Sequence, residues 1–185
     1  MLLEMKQVTK KIFSSVLLDH VDFRMEKGEI HALIGPNGAG KTSLVNILGG
    51  VFMPDSGEIL LNGRPYQPSS PMAAQKNGIF TVYQQPNLVD CLSIMENIFL
   101  GIRKGPFDFF MHWRYMKKKT TELLHYFDLQ KSPSTLVSNL SGSEKNIITI
   151  AKACIANAEI LIMDEPTAGL TAVEQIYVFN LLHKI

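Results

Sequence analysis

Short apolar or alternating segments take turns with stretches of helical periodicity along this chain. Six segments have the pattern of strands: they are Leu3–Val8, Val16–Met25, Ile30–Ile34, Glu58–Leu61, Ile79–Val82 and Ile160–Met163. Helical spacing of apolar residues follows Gly40 and recurs over Met111–Phe127, over Ser143–Ala156 and from Thr171 to the C-terminus. Several of the strands are too apolar to have a wet face, which is typical of strands covered by helices. The pattern predicts an α/β fold built on a mixed sheet.

The middle of the chain, between about residues 88 and 157, contains helical periodicity but no convincing strand. We therefore expect a helical subdomain inserted into an α/β core. The chain would enter it through the turn that contains Pro86 and leave it near Asn157. On this interpretation residues 1–87 and 158–185 form the core of a single domain, for which a length of 185 residues is sufficient.

The charges of the chain nearly cancel, with 18 basic and 17 acidic side chains and a net charge of +1. This balance gives no reason to expect nucleic acid as a partner, because surfaces that bind nucleic acid are usually basic. No apolar run approaches the roughly 20 residues that a membrane-spanning helix needs. Glu4 and Lys6 stand near the N-terminus, where a secretion signal would be apolar. We expect a soluble, unexported protein.

The sequence GPNGAGKTS, Gly35–Ser43, follows the apolar segment IHALI and precedes a helical stretch. It matches the phosphate-loop pattern GxxxxGK[ST] in the strand–loop–helix setting that this motif requires. Glycine lets the backbone approach phosphate oxygens closely, and the following helix adds positive charge at its N-terminus. The candidate nucleotide-binding residues here are Gly35, Pro36, Asn37, Gly38, Ala39, Gly40, Lys41, Thr42 and Ser43.

Three side chains of this loop have distinct predicted roles toward ATP and Mg²⁺. Lys41 is expected to bridge the β- and γ-phosphates, and Thr42 to place its hydroxyl on Mg²⁺. Ser43 is expected to reach the α-phosphate. The alternative interpretation is a glycine-rich turn that only connects a strand to a helix.

The segment AEILIMDEP ends an apolar strand with two carboxylates, Asp164 and Glu165. Ligands collect outside the carboxyl ends of strands in open α/β sheets. Asp164 is therefore a candidate Mg²⁺ ligand, and Glu165 is the candidate general base that accepts a proton from the attacking water. Alone this pair is weak evidence, because such carboxylates also cap helices or face solvent. Together with the phosphate loop it becomes strong.

Three further motifs resemble those of the ATP-binding cassette (ABC) proteins. NLSGSEKN, Asn139–Asn146, is similar to the family signature, commonly LSGGQ, and a helix and then the acidic strand follow it. VYQQPNL places Gln84 at the Q-loop glutamine, and EPTAGLT matches the D-loop region. The motifs stand in the order of the family and span nearly the whole chain. The resemblance implies a P-loop NTPase (RecA-like) core with a mixed sheet and an inserted helical subdomain.

The resemblance also implies that ATP is held between two cassettes. Ser141 and Gly142 match signature residues that face the γ-phosphate bound on the partner cassette. Ser143 stands where the family has a second glycine and Glu144 where it has glutamine. Because a side chain then occupies a place of close backbone approach, we expect Ser143 to weaken the opposed site. The alternative is that the Ser143 hydroxyl contacts the nucleotide as a replacement donor.

Two more site residues follow from the resemblance. Phe13 matches the aromatic residue that stacks on adenine, and the alternative interpretation is a strand residue packed in the core. Gln84 is implied both in catalysis and as a ligand of Mg²⁺.

The aromatic cluster Phe107–Trp113 is either a contact for a membrane subunit or part of the local core.

The wording of EPTAGLTAVE and QQPNLVDCLSIMENIFLG resembles the ATPases of simple-sugar importers, which fuse two cassettes in one chain. It implies an ATPase that works with transmembrane permease subunits, with a second cassette and, indirectly, with a substrate-binding protein. Such a subunit lies on the cytoplasmic face of the cell membrane. Three alternatives stay open: a nucleoside importer, a soluble cassette protein of translation or DNA repair, and a binding-only cassette used in regulation or assembly.

In this family a further strand and a switch-loop histidine follow the D-loop helix. The sequence ends at Ile185. We expect this residue to lie within the D-loop helix, so that the C-terminal part of the core is missing. The expectation is an incomplete cassette that binds ATP and turns it over poorly.

Overall fold

The computed structural model describes residues 1–83, 87–102, 113–164, 172 and 175–176. The chain separates into two compact units, Met1–Phe80 and Thr81–Ile185. The first unit contains β1 (Leu3–Ile12), β2 (Ser15–Met25), α1 (Lys41–Leu48), β3 (Ser56–Leu61), β4 (Arg64–Pro65) and α2 (Pro71–Lys76). Strand β5 (Ile79–Val82) crosses the boundary, and α3 (Ile94–Phe99), α4 (Trp113–Tyr126), a 3₁₀ turn (Val137–Asn139), α5 (Gly142–Ile155) and β6 (Ile160–Met163) follow it. Over the described residues, no helix is both long and apolar enough to cross a bilayer.

The first unit is built on an antiparallel four-stranded sheet with the strand order β2-β1-β3-β4. The inner strand β1 buries the side chains of Leu3, Met5 and Val8. A bulge at Gln7 shifts the alternation of buried and exposed side chains between Met5 and Val8. Gln7 has a positive φ of 51°, and its backbone N–H and side-chain amide donate to the carboxylate of Asp22 at 2.8 and 2.7 Å. Gly57 faces this bulge, where a Cβ atom would lie 2.5 Å from the Gln7 carbonyl oxygen. The bulge is therefore specified from both neighbouring strands.

The prediction of a strand at Ile30–Ile34 is wrong. This segment forms no strand, and the side chains of Ile30 and Ile34 are 71% and 92% exposed. A strand needs a neighbour to pair its N–H and C=O groups, whereas an apolar run reports only a preference for burial. Among the described strands, which lie in the four-stranded sheet and in a separate β5–β6 pair, none pairs with this segment.

The second unit is built around α5. A buried cluster surrounds this helix. Its members come from α3, from α4 and the residue that follows it, from the 3₁₀ turn and the residue that follows it, and from α5 itself: Ile94, Ile98, Leu124, Phe127, Val137, Leu140, Ile147, Ile148, Ile150 and Ala151. Met163 at the end of β6 packs against the same cluster. Strand β6 pairs with β5, and the Asp164 N–H donates to the Val82 carbonyl at 2.9 Å. The acidic strand end is thus fixed both to the sheet and to the core that carries α5.

Most predicted elements agree with the structure. The strands at Ile79–Val82 and Ile160–Met163 have their predicted bounds, and the helix predicted over Ser143–Ala156 is α5 (Gly142–Ile155). Of the helix predicted from Thr171 onward, only residues 172, 175 and 176 are described, and they are helical. Helices α2 and α3 were not predicted from the pattern of apolar residues. The predicted boundaries of the helical subdomain stay a prediction.

Helix α4 carries one buried hydroxyl that finds no hydrogen-bond partner within the described part of the chain. Thr120 is fully buried, and its Oγ1 is the unpaired atom. A buried polar group left unpaired costs about 1–3 kcal/mol, so replacing it with an apolar group of similar shape should stabilise the fold. Thr120→Val should raise the free energy of unfolding by about 1 kcal/mol in urea titrations followed by circular dichroism.

The neighbouring threonine offers a matched control. Thr121 is exposed, and its hydroxyl donates to the Lys117 carbonyl at 2.9 Å. Thr121→Val should change stability by less than about 0.5 kcal/mol, as surface substitutions usually do. A fall in stability of Thr120→Val beyond that of the control would contradict the assignment of an unpaired buried hydroxyl.

Candidate nucleotide site

Within the phosphate loop, Gly40 occupies a position that no other residue type could take without strain. Gly40 is the N-cap of α1 with φ 89° and ψ 2°, which is left-handed backbone. A Cβ atom here would lie 2.6 Å from the Leu17 carbonyl oxygen and 2.7 Å from Leu18 Cδ2. Gly38 also has a positive φ, 82°. These torsions turn the chain tightly into the helix, with Gly40 pressed against β2.

The N-terminus of α1 is open toward a ligand. The first helical hydrogen bond runs from the Leu44 N–H to the Gly40 carbonyl at 2.9 Å, so the helix does not use the N–H groups of Lys41, Thr42 and Ser43. Gly40 provides no side-chain cap, and the first turn contains no acidic residue. Residues 35–39 of the loop are exposed. This end of the helix has positive partial charge, and its own first turn holds no carboxylate that would compete with an incoming anion.

Lys41 folds back over the loop that precedes it. Its Nζ donates to the carbonyl oxygens of Gly35 at 2.7 Å and Pro36 at 2.9 Å. An ammonium group has three donors, so these two bonds leave one for another acceptor. The lysine is thereby held across the mouth of the loop, where its charge adds to that of the helix N-terminus.

Phe13 lies at the tip of the hairpin between β1 and β2. It has φ 52°, and its side chain is fully exposed at 101%. The alternative interpretation of Phe13 as a core strand residue is therefore wrong. Ile12 and Val16 beside it are also exposed, at 42% and 52%. Stacking of Phe13 on adenine stays a prediction, and the exposed ring is free of packing that would prevent it.

Just before the phosphate loop, Glu29 forms a small polar cluster in place of the predicted strand. Its carboxylate accepts from the Glu26 N–H at 2.7 Å and lies 2.9 Å from Nε2 of His31. The bond from the Glu26 backbone, and secondly the imidazole, hold the pKa of the Glu29 carboxyl below its usual value. The His31 ring also packs edge-on against Phe23 at 5.3 Å between centroids.

The signature forms the start of α5. Ser141 is the N-cap, and its Oγ accepts from the Glu144 N–H at 3.3 Å. The Glu144 carboxylate in turn accepts from the Ser141 N–H at 2.8 Å, which completes a capping box. Ser143 is buried, and its Oγ lies 2.9 Å from the Oγ of Ser141. The hydroxyl of Ser143 therefore turns into its own unit and binds the signature serine.

Two ion pairs tie the first turn of α5 to other parts of the second unit. Lys131 Nζ lies 3.1 Å from Glu144 Oε1, and Lys145 Nζ lies 2.8 Å from Asp90 Oδ1. Lys131 and Asp90 were not predicted as site residues, because nothing in their local sequence marks them as partners of the signature. Their pairing with α5 is visible only in the three-dimensional structure, where loops distant in sequence come together.

The remaining predicted site residues are distributed as follows. Gly35–Ser43 lie in the first unit, whereas Ser141, Gly142, Ser143 and Asp164 lie in the second. Asp164 is half-buried directly after β6. Gln84 and Glu165 lie outside the described residues, as does the part of the aromatic cluster before Trp113. Trp113 itself is 51% exposed.

Comparison with known proteins gives consistent matches. A family model described as ABC transporter matches residues 18–168. The ribose import ATP-binding protein of Rubrobacter xylanophilus is 41% identical over 184 residues, which are 100% of this chain and 37% of that protein. The xylose import ATP-binding protein of Moorella thermoacetica is 41% identical over an alignment of 186 positions, which covers 100% of this chain and 37% of that protein. The chain therefore spans little more than a third of the length of these curated relatives.

Solved structures share the fold. A dimeric post-hydrolysis state of an ATP-binding cassette bound to ADP and Pi matches with a TM-score of 0.78 and 26% identity. The match covers 97% of this chain and 81% of that chain. The α/β cassette fold expected from the motifs is confirmed.

Proposed function

This chain belongs to the ABC transporter family, and from that premise we propose that it binds MgATP and hydrolyses it as a cassette of a simple-sugar importer. The observation that carries the proposal is the open, uncapped N-terminus of α1 behind the exposed phosphate loop. Lys41 lies across that loop with one donor to spare. The arrangement fits the triphosphate of a nucleotide.

The nucleotide would be held by both ends. The N–H groups of the loop and of the first turn of α1 bind the phosphates, and Lys41 binds the β- and γ-phosphates. The exposed ring of Phe13 stacks on adenine, a contact worth about 1–3 kcal/mol by analogy with bases on aromatic side chains. Both Phe13 and the loop belong to the first unit.

The predicted ligands of Mg²⁺ all bind through oxygen, which is the donor that Mg²⁺ prefers. They are the hydroxyl of Thr42, the side-chain oxygen of Gln84 and the carboxylate of Asp164. Within the first unit Thr42 is exposed in the first turn of α1, and within the second unit Asp164 is half-buried directly after β6. When bound, Mg²⁺ supplies positive charge that neutralises the β- and γ-phosphate oxygens.

Hydrolysis would then depend on Glu165, the residue after Asp164. Its carboxylate accepts a proton from the water that attacks the γ-phosphorus. A new oxygen–phosphorus bond forms as the bond between the γ-phosphorus and the bridging oxygen breaks, and ADP leaves with the electron pair. Lys41 stabilises the negative charge on the transferring group, and Gln84 assists at the same site.

The signature at the start of α5 would complete the site of a second cassette. Ser141 and Gly142 stand at a helix N-terminus, which suits them to face the γ-phosphate of that cassette. Support comes from the matched cassette that was solved as a dimer with ADP and Pi. Two cassettes with ATP held between them would close and reopen as the nucleotide is bound and hydrolysed. This movement would drive transmembrane permease subunits from the cytoplasmic face, with a substrate-binding protein as an indirect partner.

The proposed cargo is a simple sugar, because the relatives are named for ribose and xylose import.

Phosphate release from MgATP tests the proposal, using the protein that contains this chain together with its membrane subunits in liposomes. We expect hydrolysis that a sugar-loaded binding protein accelerates. The complete absence of hydrolysis would contradict the proposal, and acceleration by a nucleoside-loaded binding protein alone would favour the nucleoside importer.

Ser143→Gly is expected to raise ATP hydrolysis by about 2–10-fold, which is the rate equivalent of one net hydrogen bond. The reason is that Ser143 Oγ engages the Ser141 hydroxyl at 2.9 Å, and the change frees that hydroxyl for phosphate while permitting closer backbone approach. Steady-state phosphate release measures the effect, with Ser141→Ala as the comparison that should lower the rate. Equal rates in the wild type and both variants would mean that this signature contacts no reacting nucleotide.

A further inference from the structure

The start of α5 contains a negative charge at the place where the proposed function requires phosphate to approach. Glu144 is the acidic residue of the first turn of this helix. It stands where the family signature has an uncharged glutamine, three residues after Ser141. A carboxylate so close to a phosphate would repel it, because like charges a few ångströms apart interact strongly when water is partly excluded.

Both oxygens of this carboxylate are engaged inside the unit. Oε2 accepts from the Ser141 N–H at 2.8 Å, and Oε1 lies 3.1 Å from Lys131 Nζ. The side chains of Glu144 and Lys131 are only 21% and 32% exposed, so solvent screens the pair less than it screens a fully exposed one. The carboxylate is thereby held on the cap of the helix and its charge is matched.

The other cation nearby does not serve the same purpose. Lys145 follows Glu144 directly, but its Nζ is paired with Asp90 Oδ1 at 2.8 Å. The four side chains Asp90, Lys131, Glu144 and Lys145 therefore sum to zero charge. Removing Lys131 would leave a net negative charge beside the signature.

Resting on the proposed function, we propose that Lys131 is a positioning residue of the signature, which holds and neutralises Glu144 so that a second cassette's γ-phosphate can approach Ser141 and Gly142. Lys131 makes the glutamate compatible with a phosphate-facing signature. Its effect on nucleotide use should therefore depend on the charge at residue 144. Its effect on folding should be small, because partly exposed ion pairs contribute little to stability.

The test is a double-mutant cycle on the protein that contains this chain. Lys131→Met should raise the MgATP concentration for half-maximal hydrolysis by about 3–10-fold at low salt, and less in high salt where the charge is screened. Lys131→Arg should keep the wild-type value. Adding Glu144→Gln to Lys131→Met should return the value to within about twofold of the wild type, since glutamine can still accept the capping bond.

The matched control is Lys119→Met, which removes a lysine paired at 2.7 Å with Glu122 on α4. It should leave the half-maximal concentration unchanged. An unchanged value in Lys131→Met, or no rescue by Glu144→Gln, would overturn the inference while leaving the proposed function intact. A wild type that neither binds nor hydrolyses MgATP would overturn both.

Discussion

Glu165→Gln should lower ATP hydrolysis by about 10²–10⁴-fold in the protein that contains this chain, the loss typical of a removed general base. The amide cannot accept the proton of the attacking water, so the chemical step fails. MgATP affinity should stay the same, because the proposed phosphate contacts are made by the loop and by Lys41 rather than by Glu165. Phosphate release and equilibrium binding of a fluorescent ATP analogue measure the two quantities separately.

The matched control for this change is Glu159→Gln. Glu159 is an exposed carboxylate just before β6, at the strand end opposite Asp164. Its replacement should leave hydrolysis near the wild-type rate. Near-normal turnover in Glu165→Gln would remove this residue from the role of general base.

Lys41→Ala should remove most of the stabilisation that MgATP gives the fold. A ligand at about 100 times its dissociation constant stabilises a protein by roughly 2.7 kcal/mol. Lys41 Nζ already lies over the loop, bonded to the Gly35 and Pro36 carbonyls, so its loss removes a charge from the proposed phosphate site. Urea unfolding with and without MgATP measures the difference.

The control for Lys41→Ala is Lys27→Ala, an exposed lysine in the turn that follows β2. This variant should keep the full stabilisation by MgATP. Far-ultraviolet circular dichroism of both variants must match the wild type, which excludes misfolding as the cause. Full stabilisation of Lys41→Ala by MgATP would contradict the assigned contact with phosphate.

Local motifs predicted the parts of the site that local physics determines. The torsions of the loop are determined by its own glycines, and the structure has Gly38 and Gly40 in left-handed backbone as the motif requires. The start of α5 is determined by a serine and a glutamate three residues apart, a capping box that was not predicted although its spacing is present in the sequence. The strand Ile160–Met163 was predicted from four apolar residues in a row, a run typical of strands that helices cover, and the structure buries Ile160 and partly buries the other three.

The parts that failed depend on distant residues. Ile30–Ile34 has the composition of a strand, but pairing depends on what lies beside it, which composition does not reveal. Phe13 was open to two interpretations until the hairpin turn placed its ring in solvent. The Lys131–Glu144 pair joins a loop to a helix start, and the inward turn of Ser143 depends on packing around α5.

The central claim is that the phosphate loop of this chain binds MgATP, and a calorimetric titration tests it most directly. We expect saturable binding of one MgATP per chain that MgADP displaces and that Lys41→Ala weakens strongly. Absence of binding by correctly folded wild-type protein would contradict the account, as would binding that Lys41→Ala leaves unchanged.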